Sequence, residues 1–217
     1  MPIAINGSGT LTGISVGGLP DGIVDADMLA ANAVTAGKLA TGVAGSWKKL
    51  STTTVSSNVD NVTFTNSITD AFDTYKMYAI VFNQFRSTAD DYNFYIRIQE
   101  SGSNVSSGVY RWRVFSPDGN SNGQGDTQFR CNKDALGNVT ASDNNEDVSG
   151  ILYFSGFSSS KRLRYRSEII FGTASADNNA DFSGGGINNL NETTGVVFFP
   201  QNGDWSTGTA TLYGIAQ

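Results

Sequence analysis

The 217-residue chain contains no histidine. That absence removes the commonest general base near neutral pH and the commonest zinc ligand. Cysteine is nearly as scarce. Cys131 stands alone, so no internal disulfide can form and no thiolate ligand set exists. Together the two shortages exclude Ser-His-Asp and Cys-His nucleophilic chemistry. A carboxylate pair of the glycosidase type is the enzymatic option left. Asp and Glu sit mostly in loop clusters, however, and no pair is singled out. The chain therefore reads as a non-enzyme without a cofactor. Cys131 reads as a small buried hydrophobe, and a lone thiol fits synthesis in a reducing cytosol. Positive charge is in deficit too: 14 Lys and Arg face 20 Asp and Glu, for a net charge of −6. This balance argues against nucleic acid as a partner and against adsorption to an anionic bilayer. No apolar run reaches membrane length. The opening MPIAINGSG lacks the basic-then-apolar order of a secretory signal.

Aromatics are missing from one part of the chain. All three Trp, all 13 Phe and all eight Tyr come after Ala44. Aromatic side chains are the large core fillers, so the globular core is expected in residues 46–217. Residues 1–45 then form a separate arm, rich in Ala, Gly and small polar residues.

What the arm does have is a repeat. Val24-Asp25-Ala26-Asp27-Met28-Leu29-Ala30 returns ten residues later as Val34-Thr35-Ala36-Gly37-Lys38-Leu39-Ala40. Val24, Leu29, Val34 and Leu39 are thus spaced by five. On an α-helix successive members would point about 140° apart, and on a strand they would alternate faces. A composite unit fits instead: an extended Val, an N-capping Asp25 or Thr35, then a short helical turn. Four such side chains recover less free energy than ordering the segment costs. The arm must therefore bury them against other chains or a docking surface, as repeat arrays do. The plain alternative is a disordered Ala/Gly linker.

The run GISVGGLPDGIVDADMLAANAVTAGKLATG resembles the N-terminal part of tail-fibre and head-fibre proteins of tailed bacteriophages. The ending TATLYGIAQ resembles the last strand of their C-terminal knobs, and YKMYAIVFNQF with YNFYIRI resembles their paired strands. The resemblance implies a homotrimer on the virion, in which the decads attach the chain to capsid or tail proteins and a β-rich knob projects outward. Val24, Leu29, Val34 and Leu39 would then pack around the threefold axis or into the shell. With two decads in place of a long shaft, a head decoration is favoured over a receptor-binding tail fibre. A carbohydrate-binding module of a cell-surface protein is the rival from another class.

From Trp47 onward strand patterns follow one another. They are KKLSTTTVSS, Tyr75 to Phe85, Asn93 to Gln99, Val109 to Phe115, and runs beginning at Ile151, Arg162, Thr194 and Thr207. In VYRWRVF, Tyr110, Trp112 and Val114 fall on one face and Arg111, Arg113 and Phe115 on the other. Clusters such as SPDGNSNGQGD, ASDNNED, TASADNNAD and PQNGDWSTG read as turns. SITDAFDTY, from Ser67, hints at one helical turn. The sum predicts an all-β fold, an antiparallel jelly-roll-like sandwich, preceded by an extended arm with short helical turns.

Three kinds of candidate site stand out. Asp118, Asn120, Asn122 and Gly123 have the opening spacing of a calcium loop, with Asp126 as a late carboxylate. Phe129 occupies the position where a calcium loop carries Glu, and an exposed turn explains the same residues. Arg162, Arg164 and Arg166 alternate and share a face. With Arg111 and Arg113 on a neighbouring strand they would form a basic patch for sialic or uronic acids or lipopolysaccharide phosphates. The alternative is a solvated face paired with Glu168 and Glu100. Trp205 and then Tyr92 are the aromatic candidates for stacking on a host glycan, with a place in the core as the alternative.

Overall fold

The computed structural model describes residues 4–5, 11–12, 46–65, 75–89, 92–117, 119–133, 136, 147–157, 162–172, 178–188 and 191–215. The chain divides into two units, Met1–Gly45 and Ser46–Gln217. In the first, β1 (Ala4–Ile5) pairs antiparallel with β2 (Leu11–Thr12). The decads bearing Val24, Leu29, Val34 and Leu39 lie outside the described residues, as do residues 67–74 of the expected helical turn.

The second unit is an antiparallel sandwich, as the alternating sequence patterns require. Its strands are β3 (Trp47–Val55), β4 (Val62–Thr65), β5 (Met77–Ser87), β6 (Phe94–Glu100) and β7 (Ser103–Asn104). There follow β8 (Tyr110–Ser116), β9 (Gly119–Asp126), β10 (Phe129–Arg130), β11 (Val148–Ser155) and β12 (Arg164–Gly172). The last three are β13 (Asn178–Ile187), β14 (Gly195–Pro200) and β15 (Trp205–Ile215). One sheet of eight strands runs β3-β15-β5-β11-β12-β13-β8-β9, and one of five runs β10-β6-β14-β4 with β7 beside β6. No described residue is helical.

The core forms where the inner faces of the two sheets meet. Tyr78, Ile80, Phe82 and Phe85 of β5 face Phe94, Ile96 and Ile98 of β6, Phe64 of β4 and Phe198 of β14, all buried. Most of their rings meet edge-on or tilted, with Phe82 5.2 Å from Phe94 and Phe85 5.1 Å from Phe198, while Phe64 stacks on Phe198. Such geometry sets positive ring edges against negative faces. Cys131 lies in the same core, free and buried.

Two segments read as turns are strands. Gly119–Asp126, within SPDGNSNGQGD, forms β9 as the edge partner of β8, and the last four residues of TASADNNAD open β13 (Asn178–Ile187), which lies between β12 and β8. Turn-forming residues are tolerated there because cross-strand partners, not intrinsic propensity, decide a ladder. ASDNNED lies outside the described residues except for Asp147.

The core also holds ionisable groups in neutral form. Tyr110 donates to the Val105 carbonyl at 2.8 Å and accepts from the Ile98 amide at 3.0 Å. Burial pushes its phenol up to about 12, although the Ile98 N–H works in the opposite direction. Burial likewise raises Tyr165 and Cys131. An unfolded chain ionises these groups at lower pH than the folded one. Their contribution to stability is therefore complete below about pH 8 and is lost as pH rises, from about 8.5 for the thiol and about 10 for the phenols, through about 12 for Tyr110. Urea midpoints followed by tryptophan fluorescence should hold steady near neutrality and fall across that alkaline window. A midpoint unchanged up to about pH 12 would show that these groups reach water in the native state.

Candidate anion-binding groove

The alternation of β12 puts Tyr165, Ser167, Ile169 and Phe171 inside and leaves Arg164, Arg166, Glu168 and Ile170 on the outer face. β8 behaves the same way: Tyr110 and Val114 are buried, while Arg111, Arg113 and Phe115 are exposed. These two strands are not direct neighbours. β13 lies between them, and its register sets Gly184 between Arg166 and Arg113, and Gly186 between Arg164 and Arg111. The arginine-bearing strands are then about 10 Å apart, two strand spacings, and successive arginines on each are about 7 Å apart. Four arginines frame a floor that carries no side chain. The Arg164 guanidinium leans over it, with Nη1 3.2 Å from where a Cβ of Gly186 would stand.

Gly185 has a different reason to be glycine. It faces inward between Tyr165 and Trp112. A Cβ there would collide with the Arg111 carbonyl and approach Tyr165 Cε1 to 2.9 Å. Gly184 has room outside, since a Cβ would meet nothing nearer than the Tyr165 carbonyl at 3.5 Å.

Two shallow depressions share Arg111 and Gly185. One, of about 410 Å³, takes in Arg162, Arg164 and Gly186. The other, of about 490 Å³, takes in Arg113, Asn122, Gln124 and Gly184. Among the described residues the one ion pair is Arg166–Glu168, at 2.8 Å on the exposed face, the kind of pair that stabilises little. Arg166 also stands 4.8 Å over the Tyr153 ring and Arg113 5.0 Å over Phe115. Arg111, Arg162 and Arg164 have no acidic partner among the described residues. The expected pairing with Glu168 thus takes up one arginine, and Glu100 belongs to the other sheet. Beside the arginines runs a row that is apolar except for Glu168. Val81, Ile151, Glu168, Phe182 and Phe115 are consecutive cross-strand partners. Phe182 and Phe115 are 54% and 48% exposed, enough to offer ring surface to a ligand.

The other candidates come out differently. Trp205 is completely buried, 5.2 Å from Phe85 and 5.8 Å from both Tyr92 and Phe94, with Nε1 donating to the Phe198 carbonyl at 3.3 Å. It opens β15 instead of tipping a turn, because its backbone pairs in both directions with Val59. Tyr92 is also completely buried. Neither ring can stack on a glycan; both are core supports. The described members of the calcium-loop candidate do not gather. Asn120 and Asn122 lie along extended β9 on the outer face, and the Asp126 carboxylate accepts from Trp112 Nε1 at 2.6 Å. Their oxygens do not converge. Asp118 lies outside the described residues. No group of three or more His, Cys, Asp or Glu among the described residues could hold a metal ion. A third depression, beside Asn83, Gln84, Arg86, Asp147 and Thr209, mixes charges of both signs and favours no ligand class.

Sequence reasoning missed Gly184, Gly186, Phe115 and Phe182 as parts of a site. The run Ser183-Gly-Gly-Gly186 was the available signal, since three glycines in a strand mark a close approach or an open floor.

The fold and its arginine-framed outer face define a two-sheet antiparallel β-sandwich with a candidate anion-binding groove. No protein-family model, no curated protein and no solved structure matches this chain.

Proposed function

We propose that the chain is a non-enzymatic surface protein of a tailed-phage particle. It assembles as a homotrimer, is anchored through residues 1–45, and presents its β-sandwich as an outward, adhesive knob. The observation that carries this reading is the split at Gly45. An aromatic-free, decad-bearing leader precedes a domain whose described core residues all lie between Val55 and Leu212. The leader needs partners to bury Val24, Leu29, Val34 and Leu39. The phage-like decads and the TLYGI ending supply the particle.

Head decoration is the preferred placement, and a receptor-binding tail fibre is the alternative. The carbohydrate-binding module of a cell-surface protein shares the arginine groove and lacks the need for a trimer. An antibody raised against residues 46–217, applied to particles and viewed by negative stain, tests the proposal. Label on heads is the expected result, and label on tail tips selects the fibre reading. Particles that bind no antibody while the cell envelope binds it would overturn it.

A further inference from the structure

From the outer face of the eight-stranded sheet we infer that the groove over Gly184–Gly186 binds a linear acidic polysaccharide, with its carboxylates held by Arg111 and Arg164. This deepens the adhesive half of the proposed function and does not depend on where the chain sits on a particle.

Charge is the first argument. A protein of net charge −6 sets Arg111, Arg113, Arg164 and Arg166 on one face of one sheet, with Arg162 lining the same depression as Arg111 and Arg164. Three of them lack an acidic partner among the described residues. A guanidinium fork matches a carboxylate with two parallel hydrogen bonds, and Arg is the less strongly hydrated of the two basic groups, so it gives up water more readily.

Shape is the second. At Gly184 the floor is open and has no side chain to keep a polymer off the sheet, while at Gly186 the Arg164 guanidinium itself forms the surface. The frame of about 10 by 7 Å lets arginines from both walls reach toward a chain lying between them.

The third is the neighbouring surface. Phe115 and Phe182 are cross-strand partners with exposed rings beside Arg113 and Gly184. A ring can cover the apolar face of a sugar while an arginine holds its acid group. Asn122 and Gln124 border the same depression and carry the amide donors and acceptors that hydroxyls need. A nucleic acid fits less well, because the protein's overall negative charge opposes its dense phosphate backbone.

The test uses the purified full chain titrated with polygalacturonate, with neutral dextran and with poly(U) RNA. The sedimentation of the same sample reports the oligomer separately. Failure to bind would therefore leave the trimer reading standing, and a monomer that binds would leave this one. The expected result is binding of polygalacturonate that weakens with salt, with no binding of dextran. The double variant Arg111→Gln/Arg164→Gln should weaken it by about tenfold or more. Gly184→Leu fills the floor at a position with room for a side chain and should weaken binding similarly. Both variants should keep the wild-type thermal midpoint, since all three positions face outward. The inference is overturned if the wild type ignores polygalacturonate, if dextran binds equally well, or if poly(U) binds more tightly. Wild-type binding by both variants would overturn it as well.

Discussion

Replacing Trp205 by alanine should lower the stability of the β-domain by about 3–5 kcal/mol, the range for emptying a large aromatic from a core. The indole is completely buried and closes one end of the aromatic core, touching Phe85, Tyr92, Phe94 and Phe198. Rings on both sheets would lose a neighbour together. The Phe198 carbonyl would also lose the indole N–H. Domains of this size are typically stable by about 5–15 kcal/mol, so the variant should unfold at a much lower urea concentration or fail to accumulate. Trp205→Phe keeps most of the contact surface and loses the hydrogen bond, so it should fall between the two. Equilibrium urea unfolding followed by far-UV circular dichroism measures both. A cost for Trp205→Ala below about 1 kcal/mol, the level of an ordinary surface change, would mean that the ring is not a core support.

Trp205 also shows where reading the sequence reaches its limit. It follows Asn202, Gly203 and Asp204, all turn formers, so local chemistry places it on a tip. The long-range bridge to Val59 draws it inward, and nothing within several residues of it signals that contact. β8 is the opposite case. Its strict alternation of large apolar and charged residues fixes both faces, and the structure puts Tyr110 and Val114 inside and Arg111, Arg113 and Phe115 outside. β12 was legible for the same reason. The patch of arginines was legible as two separate strands, but not as one site. Joining them required β13, whose run NNADFSGGGI has weak strand propensity and is held by nine cross-strand pairs to β12. β9, built of GNSNGQGD, was hidden in the same way, since its partner β8 supplies the order that its own residues do not.

The second large effect concerns assembly. Val24, Leu29, Val34 and Leu39 cannot gather on one side of a single regular element, so burying them calls for other chains or a docking surface, which under the proposed trimer are copies of the same segment. Removing residues 1–45 deletes all four and leaves intact the strands that build the core. The truncated chain should fold, keep its groove and lose its partners. Sedimentation equilibrium at micromolar concentration, run on the full chain and on residues 46–217, measures this most directly. The expected result is a full-length species of three times the 23.0 kDa chain mass and a monomeric truncation. A full-length chain that sediments as a monomer would contradict the account.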